Sequence, residues 1–214
     1  MHRGLFVTFE GIEGTGKSTQ ITRLSAWLRS QGWLVTEVRE PGGTRLGEAL
    51  RRILLQRAAE TIDPRAELFL YLASRAQLVA RQIEPALAAG RIVIADRYGD
   101  ASVAYQGGGR SLGDRQVRTL VRFATGGLVP DRTYLLDLVP EDSRARVRSR
   151  GAPDRLESEG LAFHRSVRAA YRRIARAEPR RFVVLPGKEP ESLLEGRIRR
   201  DIARLLPSIR PTDR

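Results

Sequence analysis

Residues Gly11 to Ser18 read GIEGTGKS and fit the pattern G-x-x-x-x-G-K-[ST] at every fixed position. The apolar run Leu5 to Phe9 before them predicts a strand, and the residues from Lys17 onward have helical spacing. A loop in this context can turn its backbone N–H groups towards a phosphate, because glycines leave no side chain in the way. The helix N-terminus behind it adds unpaired donors and a partial positive charge. The motif therefore predicts a phosphate-binding loop.

Lysine is rare in this chain, which strengthens the assignment of the loop. Among 38 Lys and Arg residues, lysine occurs only at positions 17 and 188. A lysine at the position that the motif requires is therefore not a chance match. Lys17 can reach the β- and γ-phosphates of a nucleotide, and Ser18 can bind Mg²⁺. We predict that ATP binds here, through Gly11, Ile12, Glu13, Gly14, Thr15, Gly16, Lys17, Ser18 and Thr19.

The overall composition is typical of a soluble globular protein. With 214 residues, 41% of them hydrophobic, the chain can form a sizeable core, and we expect 1–214 to be one α/β domain. The absence of cysteine excludes disulfides and thiolate metal sites. No apolar run approaches the ~18 residues of a membrane span, and a strand follows Met1 almost directly. We therefore expect a cytoplasmic protein without membrane contact.

The formal net charge of +13 allows two interpretations. One is a nucleic-acid-binding protein, and the other is an Arg-rich surface around a site for polyanionic nucleotides. The arginines are spread along the chain, and no helix-turn-helix, zinc-finger or aromatic RNA-binding motif is present. We favour the second interpretation and expect no specific nucleic-acid partner.

Apolar runs alternate with helical patterns along the chain. The predicted strands are 5–9, 33–38, 92–95, 133–138 and 182–185. The predicted helices are 17–32, 46–54, 65–89, 113–127, 141–150, 156–177 and 189–206. Short, wholly apolar strands are typical of a parallel sheet that is buried on both faces. We predict an α/β fold with a mainly parallel five-stranded sheet, helices on both faces, and the three-layer architecture of P-loop NTPases.

A second group of polar residues, Asp96-Arg97-Tyr98, directly follows a predicted strand. Ligands of parallel sheets bind at the carboxyl ends of the strands, so these residues belong on the ligand side. Asp96 can hold Mg²⁺ or its water, and Arg97 can bind a phosphate with two parallel hydrogen bonds. An Asp–Arg pair that caps a helix is the structural alternative.

Several segments together resemble bacterial thymidylate kinases. They are Glu40-Pro41-Gly42-Gly43-Thr44, Asp96-Arg97-Tyr98, Ala104-Tyr105-Gln106-Gly107-Gly108-Gly109-Arg110, Asp137-Leu138-Val139-Pro140-Glu141 and Arg150-Gly151-Ala152-Pro153-Asp154-Arg155-Leu156-Glu157. The resemblance extends from Leu5 to about Leu205. It implies transfer of the γ-phosphoryl group of ATP to dTMP with Mg²⁺, giving dTDP as a step of dTTP synthesis, and it implies a homodimer formed through helices.

The same resemblance implies roles for individual residues. Lys17, Arg97, Asp96, Glu13 and Arg150 would be catalytic, and Ser18 and Asp96 would hold the metal. The residues implied for dTMP are Glu40, Arg51, Tyr71, Arg75, Arg97, Ser102, Tyr105 and Gln106. Among these, Arg97 would hold the phosphate, Tyr71 would stack on thymine and Arg75 would bond its O4. Tyr71 could also be a core aromatic residue of a long helix.

A cluster of arginines between about 144 and 156 resembles the lid that closes over ATP in this family. Its members are Arg144, Arg146, Arg148, Arg150 and Arg155. Arg148, Arg150 and Arg155 are the candidates for ATP, since the phosphate loop itself carries no Arg; the others could be solvated helix charges. One departure from the family lies at Leu185-Pro186-Gly187, where an Asp-Ala pair often stands near the adenine.

The sequence is also compatible with two other functions. The chain could be a kinase for another nucleoside monophosphate or for a deoxynucleoside. It could also be a P-loop switch or an ATPase that nucleic acid stimulates. A monophosphate kinase turns over ATP only with its acceptor, whereas a nucleic-acid motor responds to polynucleotide.

Overall fold

The computed structural model describes residues 4–56, 61–149 and 153–208. Within these ranges, five parallel strands form one sheet in the order β2–β3–β1–β4–β5. The strands are β1 (Phe6–Glu10), β2 (Val35–Arg39), β3 (Ile92–Asp96), β4 (Arg132–Asp137) and β5 (Phe182–Pro186). The three inner strands are the most apolar and the most buried, as expected for strands that are covered on both faces.

Helices connect the strands and cover the sheet. They are α1 (Lys17–Ser30), α2 (Arg45–Leu55), α3 (Pro64–Leu78), α4 (Glu84–Ala88), α5 (Gly99–Ser102), α6 (Asp114–Ala124), α7 (Pro140–Arg148), α8 (Leu161–Ala177) and α9 (Glu191–Leu205), with a last 3₁₀ turn at Leu206–Ser208. None of the helices in the described ranges is both long enough and apolar enough to cross a bilayer.

The sheet lies between two helical layers. On one face, Phe9, Ile94 and Leu136 pack against α1 and α9. On the opposite face, Phe6 packs against the segment that follows α3, and Leu135 packs in the cluster that includes α3 and α8. Alternate residues of one strand thus enter different cores, which is the period of two that a strand imposes. The predicted α/β fold with a parallel sheet and helices on both faces is confirmed.

The helix predicted at 65–89 is not continuous. A π-helical segment, Val79–Ile83, separates α3 from α4, and the backbone N–H of Glu84 donates to the carbonyl of Val79 five residues earlier. Pro85 follows directly; it has no N–H, and its ring would clash with the carbonyl of the residue four positions before it. The wider turn accommodates this proline inside a helical stretch.

The sequence predicts no helix or strand within residues 99–109. They form α5 and a second π-helical segment, Val103–Gly109, which contains the run of three glycines. A Cβ on Gly108 would lie 2.6 Å from Cβ of Ala170, and one on Gly109 would lie 2.6 Å from the Phe163 ring. The glycines therefore allow close packing on α8.

This contact gives a test of the fold. We expect Gly108→Ala to lower the free energy of unfolding by about 1–3 kcal/mol, because its new methyl group meets the backbone-fixed Cβ of Ala170. Gly196→Ala in α9 is the control, since its Cβ would approach only the flexible end of Arg200, at 3.6 Å. It should raise stability by about 0.5–1 kcal/mol. Urea denaturation measures both, and equal effects of the two changes would contradict the close packing.

Candidate active site

A cavity of about 350 Å³ lies at the carboxyl ends of β1, β2 and β3. It is lined by residues that the sequence assigned to separate roles. They are Glu13, Gly14, Thr15, Gly16, Lys17, Ser18, Thr19, Glu40, Arg51, Tyr71, Arg75, Asp96, Arg97, Ser102, Tyr105 and Gln106. All residues that the resemblance assigned to the acceptor thus line the same cavity as most of the phosphate loop.

Lys17 is the first residue of α1 and lies against its own loop. It follows Gly16, whose φ of 93° requires a residue without a side chain. The Lys17 ammonium donates to the carbonyls of Gly11 (3.1 Å) and Ile12 (3.0 Å), so these two residues cradle the lysine although they do not line the cavity. Burial, with the neighbouring Arg97, lowers the pKa of Lys17 to about 8. An arriving polyphosphate would favour the charged ammonium.

Ser18 and Asp96 lie together at the edge of this cavity. The Ser18 hydroxyl donates to Oδ2 of Asp96 over 3.3 Å. The described residues contain no cluster of three His, Cys, Asp or Glu that could hold a metal ion by itself. Mg²⁺ in nucleotide sites needs no such cluster, because it keeps several waters and binds phosphate oxygens plus one or two protein oxygens. The hydroxyl and the carboxylate fit that ligand set.

Arg97 and Glu13 form an ion pair where the phosphate loop meets the rest of the cavity. Arg97 Nη2 donates to Glu13 Oε1 over 2.7 Å, and the Tyr105 hydroxyl donates to the same oxygen over 2.7 Å. The Arg97 guanidinium also lies over the Tyr105 ring, 4.9 Å from its centroid. Burial raises the pKa of Glu13, but Arg97, Lys17 and Tyr105 together outweigh it, so the pKa is lowered. Glu13 is therefore ionised and fixes the position of Arg97.

Sequence reasoning missed Glu10, the last residue of β1. Its carboxyl group accepts from the backbone N–H of Tyr98 and from the Tyr171 hydroxyl, each over 2.7 Å. Arg97 Nη1 in turn donates to the Tyr171 hydroxyl over 3.2 Å. Burial, with the charge of Asp100, raises the pKa of Glu10 to about 8. A glutamate at the end of an otherwise apolar strand was a signal that the sequence offered. Nothing in the sequence indicates its contact with Tyr171, which is 161 residues away.

Arg75 is 0% exposed and is held by buried partners. Its guanidinium pairs with Oε2 of Glu40 at 2.6 Å and donates to the Ser102 hydroxyl and the Tyr98 carbonyl, each over 2.9 Å. These bonds join α3 to the loop after β2 and to α5. Arg75 therefore has a structural function as well as a place in the cavity wall, and its contact with a base stays a prediction.

Tyr71 fits both interpretations that the sequence left open. It lies in the apolar cluster with Leu68 and Leu156, and it also lines the cavity one helical turn from Arg75. Arg51 reaches the cavity from α2 and donates to the carbonyl of Pro41 over 2.8 Å. That Arg51 helps Arg97 to bind the dTMP phosphate also stays a prediction.

The arginines assigned to the lid lie in different places. Arg144 and Arg148 line a smaller cavity of about 180 Å³ beside Glu13, and Arg146 donates to the carbonyls of Gly14 (3.3 Å) and Gly187 (3.1 Å). Arg155 does not line either cavity. It pairs with Glu67 at 2.7 Å and donates to the carbonyl of Leu54 over 2.7 Å. Arg150 lies outside the described residues.

Comparison with known proteins identifies the family. A family model described as "Thymidylate kinase" matches residues 9–198. The thymidylate kinase of Deinococcus radiodurans is 51% identical over 198 residues, which are 92% of this chain and 96% of that protein. The thymidylate kinase of Solidesulfovibrio magneticus is 51% identical over 199 residues, 89% and 95% of the two chains. That of Bifidobacterium longum is 48% identical over 205 residues, 94% and 98%. The chain belongs to the thymidylate kinase family.

All residues that line the two cavities lie within the region that the thymidylate kinase family model matches. The residues named above, from Glu10 to Gly187, fall between positions 9 and 198. The resemblance in the sequence and the geometry of the cavity therefore describe the same part of the chain.

The buried carboxyl group of Glu10 predicts a pH dependence of stability. Its pKa is about 8 in the folded protein and near its ordinary 4.5 in the unfolded chain. Between these pH values the folded protein holds a proton that the unfolded chain has released. The free energy of unfolding therefore falls as pH rises from about 5 to 8. Glu10→Gln mimics the neutral acid and should remove at least ~1 kcal/mol of this decline.

Urea denaturation at several pH values between about 5 and 8.5 measures the effect. Glu37→Gln on the edge strand β2 is the control, because its carboxylate faces solvent and pairs with Arg29 on the surface. Parallel profiles for the wild type and Glu10→Gln would contradict a neutral Glu10 in the folded protein.

Proposed function

We propose that this chain transfers the γ-phosphoryl group of ATP to the phosphate of dTMP, giving dTDP and ADP, as a step of dTTP synthesis. One observation carries the proposal: Lys17 of the phosphate loop and the Glu13–Arg97–Tyr105 group line the same cavity. A donor triphosphate on the loop and an acceptor phosphate on Arg97 would therefore lie next to each other. The membership in the thymidylate kinase family supports the same reaction.

The reaction needs alignment more than covalent chemistry. An oxygen of the acceptor phosphate attacks the γ-phosphorus, while the bond from that phosphorus to the bridging oxygen of the β-phosphate breaks and ADP leaves. Lys17 and the loop N–H groups hold the donor, and Arg97 holds the attacking phosphate, so the repulsion of the two anions is reduced. Glu13 keeps Arg97 in place. Ser18 and Asp96 would hold Mg²⁺, which would supply positive charge to neutralise the phosphate oxygens.

We further propose that the lid supplies a cation to the transition state. Charge spreads over the equatorial oxygens of the transferred group, and an arginine there can contribute about 10³–10⁵ in rate. Arg148 has the strongest structural support, because it lines the smaller cavity beside Glu13. Arg150 remains a candidate on sequence alone, and Arg155 is engaged by Glu67. Closure over both substrates would also exclude water and prevent hydrolysis of ATP.

Recognition of the base is proposed for the end of the cavity formed by α3. Tyr71 and Arg75 are one helical turn apart, so a ring and a donor can meet one pyrimidine there. Arginine cannot accept a hydrogen bond, so it fits the O4 of thymine or uracil and opposes the 4-amino group of cytosine. We place Tyr105 and Ser102 at the sugar and base, and Glu40 at the edge of the pocket. We also propose a cytoplasmic location for the enzyme, as expected from the sequence.

A coupled assay of ADP release across dTMP, dUMP, dCMP, dGMP and AMP tests the function. We expect dTMP to be the best acceptor and dUMP the next, since the 5-methyl group is worth roughly 1–3 kcal/mol in an apolar pocket. For dCMP and the purine monophosphates we expect far lower kcat/KM, because mismatched polar groups can lower this ratio by about 10⁴–10⁵-fold.

Lys17→Ala should remove nearly all turnover, while the melting curve of the protein stays unchanged.

Three results would contradict the proposal, if the same assay is repeated with a deoxynucleoside and with a polynucleotide in place of the monophosphates. A best acceptor other than dTMP would make the chain a kinase for a different monophosphate. Activity on a nucleoside without a phosphate would indicate a deoxynucleoside kinase. ATP turnover that polynucleotide stimulates and dTMP does not would favour a nucleic-acid motor.

We also propose a homodimer formed through α2, α3 and α6. These helices pack on one another and expose large apolar side chains. They are Leu46 (47%), Ile53 (53%), Phe69 (59%) and Phe123 (88%). Exposed apolar side chains that lie together on a surface are typical of a protein–protein contact. The exposed side chains and the family resemblance support this assembly.

Phe123→Glu tests this surface, because burying a charge in an apolar interface costs several kcal/mol. We expect the wild type to sediment as a dimer and the variant to shift towards monomer. Leu193→Glu is the matched control: Leu193 is 48% exposed but lies on α9, in the layer on the other face of the sheet. A monomeric wild type, or dissociation by Leu193→Glu instead, would contradict the proposed interface.

A further inference from the structure

A buried carboxylate lies directly behind one wall of the cavity. Glu67, in the first turn of α3, is 0% exposed. Its Oε1 accepts from Gln106 Nε2 (2.8 Å) and Arg110 Nε (3.3 Å). Its Oε2 accepts from Arg110 Nη2 (3.2 Å) and forms an ion pair with Arg155 Nη1 (2.7 Å). Glu67 does not line the cavity, but its partner Gln106 does.

The two arginines keep Glu67 ionised. Burial raises the pKa of Glu67, but the hydrogen bonds from Gln106 and Arg110 and the charges of both arginines outweigh it, so the pKa is lowered. An ionised carboxylate can only accept hydrogen bonds. At neutral pH, every group that contacts Glu67 must therefore present a donor to it.

This requirement fixes the side-chain amide of Gln106. The amide has a donor end and an acceptor end, and either can face a neutral partner. Facing an ionised carboxylate, Gln106 must turn its NH₂ group to Glu67, which leaves its carbonyl oxygen as the group available to a ligand. No hydrogen bond from another described residue reaches that oxygen. Gln106 is 1% exposed, so rotation away from Glu67 would leave buried groups unpaired.

We propose that Glu67 is a positioning residue that selects the acceptor base through the orientation of Gln106. The proposal rests on the function proposed above and deepens it. A carbonyl oxygen in the cavity accepts an N–H group, which the ring N3 of thymine and uracil carries. The N3 of cytosine carries a lone pair instead and would be repelled. Glu67 would thus favour dTMP over dCMP without touching either nucleotide.

The ratio of kcat/KM for dTMP over that for dCMP tests this proposal. In Glu67→Gln the new amide can donate or accept, so Gln106 is free to turn its NH₂ group towards the base. We expect the ratio to shrink by about tenfold or more, because one polar mismatch is no longer enforced. If Glu67 only stabilised the fold, both acceptors would lose activity together and the ratio would stay unchanged, which would overturn the proposal.

Glu159→Gln is the matched control. Glu159 pairs with Arg110 at 2.7 Å in the same cluster, and it has no bond to Gln106. The same loss of one negative charge should leave the dTMP-to-dCMP ratio unchanged. A ratio that shrinks equally in both variants would show that the charge of the cluster, rather than the orientation of Gln106, sets the preference, and would also overturn the proposal.

A measurement on the wild type covers the case in which Glu67→Gln does not fold. The side-chain NH₂ resonances of Gln106, assigned by their loss in Gln106→Met, should exchange slowly with water both without and with dTMP. Rapid exchange of these protons, either without or with dTMP, would overturn the proposal. A wild type that does not phosphorylate dTMP would refute the proposed function, while the resonances would still report the orientation of Gln106.

Discussion

The parallel pairing of β1 with β3 brings together the two sequence segments on which the candidate site depends. Phe9 lies opposite Asp96, and the backbone N–H of Arg97 donates to the carbonyl of Phe9 over 3.0 Å. This register brings the end of the phosphate loop and the Asp96-Arg97 pair to the same edge of the sheet. Arg97 then turns with a φ of 71°, a left-handed conformation that is uncommon for a residue with a side chain. Glu10 stabilises this turn through the N–H of Tyr98.

The parts of the site that could be predicted from the sequence are those that depend on neighbouring residues. The loop motif and the buried strands follow from local spacing, and Asp96 and Arg97 follow a strand directly. The π-helical segment Val103–Gly109 could not be predicted in the same way, because glycines have low helix propensity and the segment depends on packing against α8. The contacts of Glu67 with Arg155 and of Glu10 with Tyr171 join distant positions, so periodicity contains no signal of them.

Arg155 illustrates how a correct family assignment can leave a residue's position open. The resemblance placed it with ATP because it follows the other lid arginines in sequence. In the structure its backbone N–H also donates to the carbonyl of Leu55, so both its main chain and its side chain are tied to α2 and α3. A residue in this position joins the base of the lid to the acceptor side of the cavity. The number of arginines in the segment does not show whether Arg155 lies at ATP or against α2 and α3.

Three buried or nearly buried Glu–Arg pairs surround the cavity: Glu13–Arg97, Glu40–Arg75 and Glu67–Arg155. Such pairs add little stability, because the cost of removing two charges from water offsets most of their attraction. Two of these ion pairs instead matter because they fix the direction of the hydrogen bonds around them. The pKa values of Glu13 and Glu67 are lowered, so these two carboxylates are ionised and only accept hydrogen bonds, whereas a guanidinium only donates them. These two pairs therefore fix which end of a neighbouring polar group faces the cavity. Such fixed groups suit a site that distinguishes bases by their hydrogen-bond donors and acceptors, because a side chain that could present either a donor or an acceptor would bind the wrong base as well.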